Sequence, residues 1–423
     1  MGEDAAQTLD QILSTLKVEA SRSHFEKRWD RTAASFSDRA SDLLTAGSIQ
    51  SNCRLLGMNF KAERALIERA QLFRDVPGLE MLHWHCHQEL VRRLDRRSNS
   101  SGSFSRVSGV FNWPKLPGDV HADIELFYVY VFLSTVPRLI EFHRHVGVSE
   151  FVTADTLSDL ELWLLDYKEE TGRWGFHEQD WLCRHFVGNV FKIGRLQFET
   201  TEFRHPYLIF RRRDDQTIQI LAEDGLEVRA DGLLNGSDGL RETHVWRTSL
   251  SMGAYVEGYP VSRDGAIERN LVRLEEGEWD EILKEGDSVL GVHIPATGTM
   301  DYTRCCRSFS RSLPFFKRHF PEFEPRAFTC SSWLLDRQLK DHLPADTNII
   351  RFLNEWNLIP EPEADSRQTI ERVFGDVGSD FNTWPQSTSL QQIIVGHMNE
   401  GGLWRMGAGI IVPDSGSFAL NGE

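Results

Sequence analysis

The 423-residue chain reads as an α+β protein, with helices first and a mixed α/β unit after them. Three observations predict this. The first 95 residues carry apolar positions at helical spacing. Near residue 194 the pattern changes to short β-branched and aromatic runs that favour strands. From Asp287 onward, strand patterns alternate with helical ones. The length fits two or three domains, and the spacing places two, a helical 1–150 and a mixed 151–423, joined near residue 150.

Element by element, LDQILSTL carries Leu9, Ile12 and Leu16 on one helical face. LIERAQLFRDVPGLEMLHWHCHQELVRRL predicts two helices broken at Pro77-Gly78. The Ser/Gly-rich stretch 98–109 predicts an exposed loop. IELFYVYVFLSTVPRLIEFHRHVG predicts a buried helix with a break near Pro137. Asp155-Thr156 reads as an N-cap ahead of Leu157, Leu160 and Leu164. A further helix is expected from about Asp180 to Lys192. GRLQFETTEF and HPYLIFRRR favour strands, and TIQILAEDGLEVRAD predicts a hairpin around an Asp-Gly turn. DSVLGVHIP and PRAFTCS predict strands. DYTRCCRSFSRSLPFFKRHF, SWLLDRQLKDHL and TNIIRFLNEW predict helices. QTIERVFG predicts a strand, STSLQQIIVGHMNE a helix and LWRMGAGIIVP a last strand.

Composition excludes several classes. Hydrophobic residues make up 40% and charged residues 26%, with 26 Phe and 12 Trp to fill a core, a globular balance. The net charge of −16 argues against a nucleic-acid or anionic-membrane surface. No run of 18 apolar residues predicts a spanning helix. The acidic start MGEDAAQTLDQ has no secretory apolar region, and Ala6 replaces the Ser or Thr of a myristoylation motif. The six cysteines form no C-x-x-C pair and fit a reducing cytoplasm.

The densest cluster of metal-ligand residue types is HWHCH, with His83, His85, His87, Cys86 and nearby Glu89. The period around it is helical, with Leu79, Leu82, Cys86 and Leu90 forming an apolar stripe. Only His83 and His87 share a face at i, i+4. The zincin pattern needs Glu where Trp84 stands. Packing histidines are the reading the pattern favours over a metal site, and no metal ligand is assigned.

The stretch 287–318 carries more chemistry. A buried strand leads through PATG into a helix. Thr297, Gly298 and Thr299 can offer backbone N–H groups and hydroxyls at that helix's start, where unpaired donors and the helix dipole accept phosphate. Arg304 and Arg307 lie on one face of its first two turns. The competing reading is a surface β–α connection with solvated arginines.

Four stretches of the second half carry a resemblance: WLCRHFVGNVFKIGRLQFE (181–199), VHIPATGTM (292–300), FFKRHFPEFEPRAFTCSSWLLDRQLKDHLPADTNIIRF (315–352) and TSLQQIIVGHMNEGGLWRMGAGIIV (388–412). They resemble a bacterial acyltransferase family that pairs a helical N-acyltransferase N-terminal domain with a domain similar to Gcn5-related N-acetyltransferases (GNAT). LHWHCHQEL resembles a recurring piece of the first domain, which favours a structural role for HWHCH. The resemblance implies a mixed sheet whose strand–helix unit binds the donor's pyrophosphate. The usual Gln/Arg-x-x-Gly-x-Gly/Ala signature is absent, so PATGTM has to do its work. The donor is then acyl-coenzyme A or an acyl group on a carrier protein's phosphopantetheine. Ile294, Thr297, Gly298, Thr299, Met300, Arg304, Arg307 and Asn348 are the expected donor-binding residues.

Thioester aminolysis needs a base for the amine, a donor for the oxyanion and an acid for the thiolate. His293 is the titratable side chain late in the 287–294 strand, and imidazole changes charge near neutral pH. The alternative is a core histidine bonded to backbone. Ser331 and Ser332 end the next strand and can orient the thioester or relay a proton, or cap the following helix. Glu199 ends GRLQFE, facing the acceptor or solvent. Asp336 and Asn348 either hold the serine loop or cap helices. Cys330 as an acylated nucleophile lacks the activating surroundings a reactive thiol needs.

The expectation is a cytoplasmic acyltransferase acting by direct attack on a phosphopantetheine thioester, without a metal. Its acceptor is a small-molecule or peptide amine, and its partners include neither nucleic acid nor membrane. A carrier protein can serve as donor if Arg211-Arg212-Arg213 docks it, although Asp214-Asp215 beside it suggests a solvated hairpin end. Two rivals stand beside this reading: a non-catalytic thioester-binding module, and a metal enzyme centred on residues 83–89.

Overall fold

The computed structural model describes residues 8–99, 112–362, 367–375 and 377–413. Its contacts divide the chain into Met1–Lys192 and Ile193–Glu423, later than the join near residue 150 that the spacing of the elements suggested. The helices after residue 150 continue the helical pattern, which moves the division back.

The first unit is helical. Thr8 caps Leu9–Thr15 reciprocally with Gln11. Ala46–Leu56 and Phe60–Arg69 start at Thr45 and Asn59, whose side chains take the N–H groups of Ser48 and Ala62. The predicted break at Pro77-Gly78 precedes α1 (Leu79–Asn99). α2 (Phe127–His145) is buried on nearly every side of its first three turns. Three expectations fail here. Pro137 stands inside α2 and does not break it, because burial outweighs a proline's cost of about 3 kcal/mol. Asp155 and Thr156 lie within Glu150–Leu157, whose cap is Ser149. The helix expected over 180–192 is α3 (Gln179–Phe186), and its continuation is strand β1 (Val190–Ile193), which straddles the division. Of the loop expected at 98–109, Ser98 and Asn99 end α1 and the remainder lies outside the described residues.

The second unit is built on a six-stranded sheet. Its further strands are β2 (Leu196–Glu202), β3 (Ser288–His293), β4 (Ala327–Ser332), β5 (Asn357–Ile359) and β6 (Gly407–Ile411), in the order β1-β2-β3-β4-β6-β5. β3 and β4 run parallel, and α4 (Tyr302–His319) connects them. β2–β3, β4–β6 and β5–β6 are antiparallel. Helix α5 (Asn348–Asn354) leads into β5, a strand the sequence reading missed.

Strand alternation assigns side chains to faces. Phe198, Phe328 and the α4 residue Phe309 stack edge to face at 5.0–5.9 Å, and Phe309 also meets Trp356. On the other face Val289, Ala327, Ala408 and Ile410 join Tyr207, Ile209, Ile220 and Leu283 in one buried cluster. The irregular middle of the chain supplies that cover. There, Trp279–Leu283, Tyr207–Arg212, Ile218–Ala222 and Pro260–Val261 form a four-stranded sheet.

The hairpin expected around Asp224-Gly225 does not form. Ile218–Ala222 pairs with Tyr207–Arg212 and Pro260–Val261, while Glu227–Val228 pairs with Trp246–Arg247. QTIERVF lies in the helix Arg367–Phe374, not a strand. Thr369, Ile370 and Val373 have helical spacing, and that period prevails over their β-branching. SWLLDRQLKDHL forms a 3-10 turn, Trp333–Leu335, and a short helix, Leu339–His342.

Gly194 turns the chain from β1 into β2 with φ +71°, and a Cβ there would lie 2.9 Å from Ser308 Oγ on α4. Gly194→Ala should therefore cost about 1–2 kcal/mol from the left-handed backbone alone. Urea denaturation would check this, with no change in stability as the contrary result.

Candidate functional site

The site forms where β2, β3 and β4 meet. In the β2–β3 register Gly291 lies opposite Glu199 and His293 opposite Gln197. His293 and Glu199 therefore stand diagonally on one face, within reach of each other. The Nε2–Oε2 distance is 2.9 Å. Gly291 places no side chain between them. Glu199 is 7% exposed, while the His293 side chain is 33% exposed. A buried carboxylate thus orients an imidazole that reaches solvent. With the carboxylate accepting from Nε2–H, the lone pair lies on Nδ1.

The parallel β3–β4 pairing covers only Val289–Gly291 against Ala327–Thr329. Both strands continue, β3 to His293 and β4 to Ser332. Beyond Gly291 and Thr329 they part, which leaves backbone groups facing a gap beside the histidine.

The two serines fall on opposite faces. Ser331 shares the face of His293, and its Oγ donates to Glu361 Oε2 at 2.9 Å. Glu361 in turn lies 3.9 Å from His205 Nδ1, and His205 Nε2 is 3.5 Å from Thr329 Oγ1. Burial lowers the His205 pKa, with Glu361 opposing. Ser332 points to the helix-covered face, where its Oγ accepts from Leu334 N–H at 3.2 Å as an N-cap. The capping alternative raised for this serine is the contact it makes. Cys330 shares that face, and burial pushes its thiol up to about 12, so it stays protonated.

The expected donor-binding residues come together after β3. Ile294 is half-buried, Thr297, Gly298 and Thr299 are exposed, and Met300 packs its sulfur 3.9 Å from Cys305. Gly298 turns the loop with φ +74°. Arg304 and Arg307 are exposed on the first turns of α4. Asn348 Oδ1 accepts from Tyr302 N–H at 3.5 Å, tying the start of α5 to the start of α4. Asp336 is buried and accepts from Gln338 and Arg405 backbone N–H groups. Asp301 caps α4 by accepting from Arg304 N–H at 2.9 Å, so one donor of the helix start is already used.

Sequence reasoning missed Arg195, His205, Glu361 and Asp301. Asp301 had a signal, an aspartate directly before a helical run. The others did not, because their partners lie far along the chain, 30 residues for Glu361 and Ser331 and 124 for His205 and Thr329.

HWHCH is a packing element of α1. His83 Nε2 meets the Tyr130 carbonyl at 3.2 Å, His85 Nδ1 meets Thr32 Oγ1 at 2.7 Å, and His87 Nδ1 meets Ser134 Oγ at 2.9 Å. Each ring serves a different partner. Among the described residues no group of three His, Cys, Asp or Glu is placed to hold a metal ion. Burial lowers His83 to about 3 and His85 and His87 to about 4. Burial also pushes Glu89 upward, but hydrogen bonds from Arg28 and Arg92 outweigh it and hold Glu89 at about 2.

Two family matches divide the chain as the fold does. Residues 48–188 match the N-acyltransferase N-terminal domain. Residues 190–411, more than half of the chain, match the GNAT-like C-terminal domain. The parted parallel strands and these matches define an enzyme of acyl transfer. More narrowly, the chain belongs to the acyltransferase family that joins these two domains, as the resemblance in its sequence implied. It is similar in fold to a crystallised acyltransferase in complex with decanoyl-CoA, at 24% identity and TM-score 0.64, over 96% of this chain and 100% of that one. It is also similar to an acyltransferase in complex with decanoyl-CoA and teicoplanin, at 23% identity and TM-score 0.64, over 95% and 98% of the two chains. A comparison with curated proteins finds no match.

Proposed function

We propose that the protein transfers an acyl group from acyl-coenzyme A to an amine of a small-molecule or peptide acceptor. The observation that carries this reading is the His293–Glu199 pair beside the gap between β3 and β4. The fold neighbours crystallised with decanoyl-CoA support the donor, and the neighbour that also holds teicoplanin supports a small-molecule acceptor.

In this reading the thioester lies in the gap and the diphosphate on the loop 294–300, with Arg304, Arg307 and Asn348 around it. Glu199 holds the imidazole, and His293 Nδ1 takes a proton from the attacking amine. The nitrogen forms a bond to the thioester carbon, the C–S bond breaks, and the proton passes to the leaving thiolate. Backbone N–H groups in the gap receive the oxyanion. Ser331, held by Glu361, orients the acceptor, and Ser332 keeps its capping role. All six cysteines are free thiols, which fits work in the cytoplasm. Among the described residues no helix is long and apolar enough to cross a membrane.

A thermal-shift series with acetyl-, octanoyl- and decanoyl-CoA tests the donor. A ligand at about 100 times its Kd should add roughly 2.7 kcal/mol of stability. A shift that grows with chain length and is lost in the Arg304→Ala/Arg307→Ala double variant is the expected result. No shift with any acyl-CoA, but one with acylated carrier protein, would replace the donor.

A further inference from the structure

Arg195 stands in the turn between β1 and β2, with only 6% of its surface exposed. Its guanidinium reaches under the loop that follows β3. Nη1 donates to the Pro295 carbonyl at 3.0 Å, Nε to the Thr299 carbonyl at 3.2 Å, and Nη2 to the Gly298 carbonyl at 3.4 Å. Its main-chain N–H donates to Ser308 Oγ at 2.8 Å, which ties the same residue to α4. One side chain therefore fixes the whole turn from strand to helix.

Two consequences follow. The peptides are trans and planar, so each clamped carbonyl turns the next residue's N–H the opposite way. Those are the N–H groups of Ala296, Thr299 and Met300. None donates to an acceptor among the described residues, and Ala296 to Thr299 are exposed. The second consequence is electrostatic. Among the described residues no carboxylate pairs with Arg195, and its charged neighbour is another cation, Arg304. A buried cation bonded only to neutral carbonyls is incompletely compensated. An anion on the outer side of the loop would supply the missing charge while accepting the outward N–H groups.

We propose that Arg195 is a positioning residue for the donor's diphosphate: it draws the Pro295, Gly298 and Thr299 carbonyls inward so that the Ala296, Thr299 and Met300 N–H groups face the phosphates, and lends them its charge. This does the work of the glycine-rich signature that PATGTM lacks. It rests on the reading of 294–300 as the diphosphate loop.

The test compares decanoyl-CoA with decanoyl-pantetheine, which has the same thioester and no diphosphate, in wild type, Arg195→Lys and Arg195→Met. Wild type should prefer decanoyl-CoA in KM. Arg195→Met should raise the KM for decanoyl-CoA roughly 10- to 100-fold, the range for losing charge-assisted hydrogen bonds. Its kinetics with decanoyl-pantetheine should stay within about threefold of wild type. Arg195→Lys, which keeps a cation but cannot span three carbonyls, should fall between and serves if the methionine variant does not fold. Equal losses with both thioesters, or an unchanged KM for decanoyl-CoA, would overturn the proposal and leave Arg195 as scaffold. A wild type that does not distinguish the two donors would instead overturn the assignment of the diphosphate loop itself.

Discussion

His293→Gln lowers kcat by about 10²- to 10⁴-fold, the range for removing a positioned general base, and leaves the KM for acyl-CoA within about threefold, as loss of a transition-state interaction does. The imidazole is held at 2.9 Å by a carboxylate that is itself nearly buried. Its surface reaches solvent at the point where β3 and β4 part. In the proposed reading the loop after β3 holds the donor's other end through separate contacts, which is why kcat and KM should separate. Glu199→Gln keeps the shape but can present an amide N–H₂ to the ring, so it should cost about 10- to 100-fold, as lost orienting partners do. Steady-state kinetics with saturating amine reads both, and unfolding midpoints exclude a folding defect. A His293→Gln enzyme within threefold of wild type in kcat would mean that the base lies elsewhere.

The second large effect is loss of stability on mild acidification. Four buried histidines in the helical unit are held neutral: His83 and His143 at about 3, His85 and His87 at about 4. Burial is the first cause for each. In the unfolded chain the same groups titrate near 6.5. Between these values the unfolded state binds protons that the folded state refuses, so stability is complete above pH 6.5 and falls as the pH drops toward 4. At pH 5.5 each histidine costs about 1.4 kcal/mol and the four together roughly 5–6. That is comparable with the whole stability of many domains. Glu89 remains charged throughout this window, because its carboxyl is held at about 2. Urea midpoints at pH 7.5 and 5.5, followed by helical circular dichroism, measure the difference. A flat profile would mean that the cluster accepts protons in the fold, contrary to its packing.

The fold was legible in the sequence wherever one run of residues decides it. Strand β3, the PATG turn and α4 follow from a buried run, a glycine and an amphipathic pattern in immediate succession. The helical first unit follows from spacing alone. Where two periods overlap, the reading failed: the helical period of WLCRHF runs on through VFKI, and the real stop is the left-handed Gly188 between them. TIERVF carries β-branched residues on a helical period. The irregular middle was opaque because its strands pair across long separations, as Tyr207–Arg212 does with Trp279–Leu283. The site divides in the same way. His293 and the loop residues were visible because they lie on one strand–turn–helix unit. That His293 meets Glu199 depends on the β2–β3 register, which only the fold sets. Arg195 was invisible for the same reason. A single arginine after a glycine says nothing until the loop about 100 residues later closes over it.

The proposed reaction is direct transfer from acyl-coenzyme A to an amine at the β3–β4 gap, with His293 as base. The measurement that tests it most directly is release of coenzyme A thiol from decanoyl-CoA, with and without amine acceptors, alongside the intact mass of the enzyme. Thiol release should depend on the amine, with one amide formed per thiol, no acyl adduct on the protein, and loss of that release in His293→Gln. Release without an amine together with a decanoyl adduct on the enzyme, or full activity in His293→Gln, would contradict it.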